Sequence, residues 1–538
     1  MTKEQKRIYL DLWMSFHPYK KPSQSDYYYL DLCNRIRKII DSPDHEEFIS
    51  LLTEEQKEDF CCFLVCYLED IISETGMWQA FTSMHFELYG KFLPFFNPEE
   101  YYQDEINPED VLFLVWYYIS TALYHETVFL PVSKELSVLG NEIFELLDSA
   151  YEHAPENTRL REFLEISPGE EDFFRIREKI EYIIMNSYLF HFNMRDYFIE
   201  IADKINEEGE DFVRNRLPAY MYELKNSYAI SGIYPLLALR GKDWLAQILG
   251  REHPLFKDIM AISDYKTGLY LFMKSENGYL YFQHVASGTI LPVTIKSFRE
   301  IPDLKEEKDV IAGSFVEWKN EWWFSGMLAI IPYESDLVVK EKNSTVSRTL
   351  FGGPLEKQRE AVRLQSEAFL KFNKGKPISF FNSGNEAARF VLDFLKFQRA
   401  SSPFSFKSAD KAFRKSGKKE LPDLPDELPI DDKAEKVSAF VFFNPESGIE
   451  MAYGYNELIP DPDNPLYDEE ECRENFIELI ATPDISRECS LYLMETYKIL
   501  GMGFPEEKNK NIIEENLDFL LRYWKRDKYY SRPEVTFV

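Results

Sequence analysis

From residue 25 to about residue 250, apolar side chains return at three- and four-residue steps, the period of helices that bury one stripe. Thr53-Glu54-Glu55-Gln56 has capping-box spacing, and behind it Phe60, Phe63, Leu64, Tyr67, Leu68, Ile71 and Ile72 share a face up to Gly76. Ser25-Asp26 opens a second helix with Tyr29, Leu32, Cys33, Ile36 and Ile40 on one side. The same spacing predicts helices near 107–124, 133–153, 170–187, 210–227 and 235–249. No fixed-length repeat links them, so a regular solenoid has no support.

After Pro254 the pattern shortens to period two. Runs at 268–273, 279–284, 289–293, 310–318 and 322–331 predict a small antiparallel barrel. Gly268, Asn277-Gly278 and Gly288 stand where hairpins need a positive φ. Adjacent Trp322 and Trp323 must face opposite sides of a strand, one filling the barrel and the other lying outside as an interdomain contact or a ligand platform. Trp318, Trp322 and Trp323 are therefore candidate binding residues.

Helical spacing resumes at 355–371 and behind Ser383-Gly384-Asn385-Glu386. The stretch 400–436 is first lysine-rich, then carries proline every three or four residues, and reads as an exposed loop. Runs at 437–443 and 449–455 predict a hairpin, and closing helices follow, the last with Ile513, Leu517, Leu520, Leu521 and Trp524 on one face. The predicted class is α+β, mostly helical. A helical domain covers 1–255, a small central antiparallel β-barrel 256–335, and a C-terminal helical domain 336–538 that includes the loop and a hairpin over 437–455.

Composition narrows the partners. The 538 residues carry 62 Lys+Arg against 93 Asp+Glu, a formal charge of −31, which repels phosphate backbones and anionic lipid. Nucleic acid and membrane are thus not expected partners, except through a local basic patch. One such patch exists: Lys411, Arg414, Lys415, Lys418 and Lys419, with Phe404, Phe406 and Phe413 interleaved, suit single-stranded nucleic acid or an acidic protein surface. Its default reading is a solvated loop or an intramolecular tether. The longest uncharged stretch, 111–124, is too short to cross a bilayer and reads as a buried helix. The opening residues read as a first helix and not as a leader.

Complete catalytic motifs do not emerge. The eight histidines lie within the first 284 residues without helical zinc spacing, and nucleophile elbows and phosphate loops are missing. Of Cys33, Cys61, Cys62, Cys66, Cys472 and Cys489, three (Cys61, Cys62 and Cys66) have apolar flanks and no histidine at ligand spacing, and the set reads as buried free thiols of a reducing cytoplasm. The acidic run 461–471 fails as a calcium loop, with Pro465, Leu466 and Cys472 where an oxygen ligand, glycine and glutamate are required. It reads as a turn entering a helix, with Asp461, Asp463 and Asp468 as the alternative divalent-metal ligands. No cofactor is expected.

The opening Trp13, His17-Pro18-Tyr19, Ser25-Asp26-Tyr27-Tyr28-Tyr29-Leu30 and Asn34, with the later Trp322-Trp323-Phe324-Ser325-Gly326, resembles a family of uncharacterised proteins from gut Bacteroidota, a domain of unknown function. The resemblance implies a bacterial, non-secreted origin and carries over no catalytic residue. The resulting expectation is a non-enzymatic cytoplasmic adaptor with an unidentified protein partner. The alternatives are a carboxylate- or metal-dependent enzyme and a nucleic-acid-associated protein using the basic loop.

Overall fold

Side-chain caps decide where the N-terminal helices begin. Thr53 Oγ1 accepts the Gln56 amide at 3.2 Å and Gln56 Oε1 accepts the Thr53 amide at 2.8 Å, so helix Glu54–Ile72 starts where its spacing puts it. Helix Gln24–Ile40 starts ahead of the expected Ser25. Asp26 Oδ2 accepts both the amide and the hydroxyl of Ser23, at 2.6 and 2.7 Å, which makes Ser23 the cap. Helix Pro108–Ala122 is buried along almost its whole length, as its uncharged run requires.

The computed structural model describes residues 7–123, 133–306, 308–326, 328–332, 335–344, 347, 350–351, 355–401, 428, 430, 433–500 and 507–532. The chain forms two compact units, Met1–Phe351 and Gly352–Val538. In the first, a short pair β1 (Ile233–Tyr234) and β2 (Leu239–Arg240) interrupts the helices, helices Gly241–Leu249 and Phe256–Met260 follow, and the barrel comes after them.

Five strands close that barrel in the ring β3 (Lys266–Glu276), β4 (Tyr279–His284), β5 (Ile290–Thr294), β7 (Glu321–Phe324) and β6 (Asp309–Trp318), with β6 returning to β3. The β5–β7 contact is parallel, at Val293 and Trp322, and the other pairings are antiparallel. Tyr270, Phe272, Leu280, Phe282, Leu291, Val293, Ile311 and Phe315 form its core. Asn277-Gly278 and Lys319-Asn320 turn with positive φ at both positions, which suits two-residue hairpins.

Two expectations for the barrel need correction. The run 322–331 is two strands, β7 and then β8 (Ala329–Pro332), which adds to β6 outside the ring. The chain breaks at Gly326, where a Cβ would meet Glu223 Oε1 at 2.4 Å and Tyr265 Oη at 2.6 Å. Gly268 is not in a turn: it lies inside β3, where a Cβ would meet His284 Nε2 at 3.0 Å, so its role is close packing.

The second unit is organised by β10 (Ala439–Asn444), whose six residues are all buried. A continuous apolar run marks a strand covered on both faces. β11 (Gly448–Tyr453) flanks it as the expected hairpin, and β9 (Ile378–Phe381), unforeseen from the sequence, flanks it on the other side. Ala439, Val441 and Phe443 pack with Val362 and Phe369 of helix Leu355–Phe372 and Val391 and Phe394 of helix Gly384–Ser401. Phe442 meets Tyr492 of helix Arg487–Tyr497 at 5.4 Å.

Candidate functional site

The residues of the opening segment converge on two buried carboxylates. Asp26 Oδ1 accepts the Trp13 indole at 3.0 Å and the Tyr19 hydroxyl at 3.1 Å, while its Oδ2 holds Ser23. His17 Nδ1 faces the Trp13 carbonyl at 2.9 Å and Nε2 faces Glu69 Oε2 at 2.8 Å. Asn157 Nδ2 completes the group, donating to Glu69 Oε1 at 2.7 Å and to the Tyr19 hydroxyl at 2.5 Å. His17, Asp26 and Glu69 offer ligand atoms within 4.8 Å of one another, a spacing compatible with a metal ion.

The hydrogen bonds give this cluster another character. Both oxygens of Asp26 and of Glu69 accept protein donors, and both nitrogens of His17 face acceptors, so the imidazole carries two protons. Burial alone pulls the His17 pKa down; the charge and hydrogen bond of Glu69 outweigh it and raise it above the ordinary value. Burial pushes the Asp26 carboxyl up, but the bonds from Ser23 and Trp13 leave it below its usual range. The arrangement is an internal ion pair with saturated neighbours, suited to fastening chain segments 52 and 88 residues apart.

Two further buried carboxylates work in the same manner. Asp70 accepts the amides of Met77 and Trp78 at 3.2 and 2.7 Å, the Tyr188 hydroxyl at 2.9 Å and the Thr75 hydroxyl. It thereby satisfies the first amides of helix Met77–Tyr89. Asp110 accepts Tyr67 at 2.6 Å, Tyr101 at 2.8 Å and Asn107 at 3.1 Å, and burial pushes its pKa up to about 6. Capping spacing drew attention to Asp26 as a helix opener, and the resemblance to Trp13, His17 and Tyr19; no local spacing announces the convergence itself.

The expected binding tryptophans join the barrel to the helices. Trp318 is buried, and its indole donates to the Glu171 carbonyl at 3.0 Å. Trp323 is buried against Phe173 and Phe174 of helix Phe173–Met185, at 6.2 and 5.8 Å. Trp322 packs on the barrel core and meets Phe351 at 6.2 Å. Opposite facing of Trp322 and Trp323 is as the strand requires, and the outward ring is covered by this chain, not open as a platform. Glu223 strengthens the joint by accepting Tyr265 and Ser314, both at 3.2 Å.

The expected acidic ligands separate by role. Asp468 caps helix Glu469–Ala481, accepting the amides of Glu470 and Glu471 at 2.8 and 3.2 Å. Asp463 and Asp461 instead flank Lys376, at 2.5 and 3.9 Å, so a lysine of this chain supplies the cation between them. Beside them lies a cavity of about 340 Å³ along β9, with Phe372, Phe380, Phe381 and Phe390 as its apolar lining. Sequence reading missed this convergence because β9 itself was missed. The basic residues Lys411, Arg414, Lys415, Lys418 and Lys419 lie outside the described residues.

The six cysteines are buried and unbridged. Among the described residues no helix is long and apolar enough to cross a membrane. These features define an α+β protein, mostly helical with a closed five-strand barrel, whose buried acid–base groups serve caps and helix contacts. The chain belongs to the family described as "Protein of unknown function (DUF3843)", whose model matches residues 7–271 and 337–526. Strands β4 to β8 fall between the two matched stretches. No curated protein and no solved structure matches the chain.

Proposed function

We propose that the protein is a non-enzymatic cytoplasmic interaction or adaptor protein that docks another protein. The observation that carries this reading is an aromatic strip in the first unit. Phe86, Phe92 and Tyr101 stack in series with centroids 4.6 and 4.7 Å apart, and Phe86 and Tyr102, next to Tyr101 in the chain, are about half exposed, at 46% and 51%. Glu99 and Glu100 are exposed along the same stretch, and Glu87 is exposed beside them in an ion pair with Arg251. A solvent-facing apolar strip with an acidic border suits a partner segment rich in apolar and basic side chains.

Other observations lean the same way. The buried carboxylates are engaged in caps and helix contacts, which leaves a carboxylate-enzyme reading with less support. Buried free thiols favour a reducing compartment. The net charge disfavours nucleic acid. The test is affinity purification of the full chain beside a Phe86→Ser, Tyr102→Ser double variant. The expected result is a stoichiometric partner, or self-association, with the parent chain that is lost in the variant. A parent chain that stays monomeric and alone overturns the reading.

A further inference from the structure

β9 ends its sheet. The strand order is β11–β10–β9, so among the described residues β9 has a neighbouring strand on one edge alone. The Phe443 amide donates to the Pro377 carbonyl at 2.8 Å, and the register continues with Ser379 opposite Val441 and Phe381 opposite Ala439. Bonded and non-bonded pairs alternate along an antiparallel ladder. The backbone groups of residues 377, 379 and 381 therefore face β10, and those of Ile378 and Phe380 face away from it.

One of these outward groups is already used, since the Ile378 carbonyl accepts Asn373 Nδ2 at 3.1 Å. The Ile378 and Phe380 amides and the Phe380 carbonyl have no protein partner among the described residues. The cavity of about 340 Å³ lies along this same edge. Its lining takes side chains from both faces of the strand, Ile378 and Phe380 from one and Ser379 and Phe381 from the other. The wall is aromatic, with Phe390 5.2 Å from Phe372 and 5.0 Å from Phe381. The charges of the lining cancel, Lys374 and Lys376 against Asp461 and Asp463, and Lys376 is paired with both aspartates.

We propose that β9 is a docking edge for an extended, uncharged segment of a partner protein, which joins the sheet as a fourth strand and sets one large apolar side chain in the cavity. The free amides and carbonyl call for an occupant that carries acceptors and a donor at strand spacing, which an extended backbone does. The phenylalanine wall and the cancelled charges of the lining call for an apolar, uncharged side chain beside that backbone. β9 of a second copy fits less well, because Lys374 and Lys376 flank it. The site lies in the second unit, apart from the strip at Phe86 and Tyr102, and does not rest on the adaptor reading; either test can fail without the other.

The test is calorimetric titration of the full chain with a capped, uncharged peptide of sequence Thr-Val-Phe-Val-Thr. Two analogues carry backbone N-methyl groups, one at both valines and one at the phenylalanine, so each loses donors on one edge of the peptide only. The expected result is saturable 1:1 binding of the unmethylated peptide, with a dissociation constant on the order of 100 μM or lower. One analogue is expected to bind about ten-fold more weakly and the other to bind as the parent peptide does. In the protein, Phe380→Pro removes an outward amide, which an edge strand tolerates, and is expected to weaken the peptide by about ten-fold. Phe380→Ala keeps that amide and is expected to weaken it less. No saturable binding at about 1 mM peptide, equal binding of all three peptides, or equal binding by the two folded variants each overturns the proposal. A parent chain that is dimeric and becomes monomeric with Phe380→Pro also overturns it, by giving the edge to a second copy.

Discussion

At the scale of single residues, the His17–Glu69 pair makes stability depend on pH in a direction that can be worked out. The folded imidazole is raised above its ordinary value because Glu69 outweighs burial. The folded state therefore holds a proton that the unfolded chain has released. The pair's contribution is complete below about pH 6.5, the unfolded value, and fades as pH rises through the raised folded value. Glu69→Gln leaves an imidazolium buried without its counter-charge and is expected to cost about 3 kcal/mol at pH 6. Urea unfolding followed by tryptophan fluorescence checks this, since Trp13 lies against His17 at 4.7 Å. The gap between parent and variant should narrow as pH rises from 6 to 9; a gap independent of pH refutes the assignment. The pair itself was beyond sequence reading, because His17 and Glu69 are 52 residues apart and share no periodic relation.

Elements depend on single buried groups in the same way. Lys525 lies under the end of helix Glu469–Ala481, donating to the Thr482 and Ile485 carbonyls at 2.6 and 3.2 Å. These carbonyls lie just past the end of that helix, where acceptors lack intrahelical partners. Burial pulls the Lys525 pKa down to about 7. Between about pH 7 and 10.5 the unfolded chain holds the proton that the folded chain has lost, so this lysine makes stability rise with pH. Lys525→Met is expected to remove that rise and to cost about 2 kcal/mol at pH 9.5, where both carbonyls lose their donor. Stability curves of parent and variant at pH 7.5 and 9.5 decide it, and equal slopes discard the account. Strands show why some elements were legible and others not. β4 was read with its observed bounds because Tyr279 to His284 alternates in burial at every step. β10 was found from its apolar run. The four residues of β9, Ile-Ser-Phe-Phe, carry no usable period, and their strand character comes from pairing with β10.

At the scale of the molecule, the question is which parts carry a core of their own. Period placed the change from helices to strands at residue 255, and helix Phe256–Met260 carries the helical spacing past that point before β3 begins at Lys266. What the pattern could not supply is which of Trp322 and Trp323 faces out and what covers it, and so the packing of Trp323 on Phe173 and Phe174 was not legible. Trp318, Trp323 and Glu223 stitch the barrel to the helices inside the unit Met1–Phe351. A cut at 255 therefore exposes two large indoles and strands the Glu223 carboxylate from Tyr265 and Ser314. The unit Gly352–Val538, by contrast, encloses its own cluster around β10. Expressed alone, residues 352–538 are expected to give a dispersed amide spectrum and one cooperative urea transition. A fragment of residues 1–255 is expected to aggregate or to unfold without cooperativity, because removing the contacts of buried tryptophan costs about 3–5 kcal/mol, a large share of the stability of a domain. A soluble, cooperatively folding 1–255 fragment would show that the joint is a weak seam between two self-sufficient domains, and the roles assigned to Trp318 and Trp323 would fall with it.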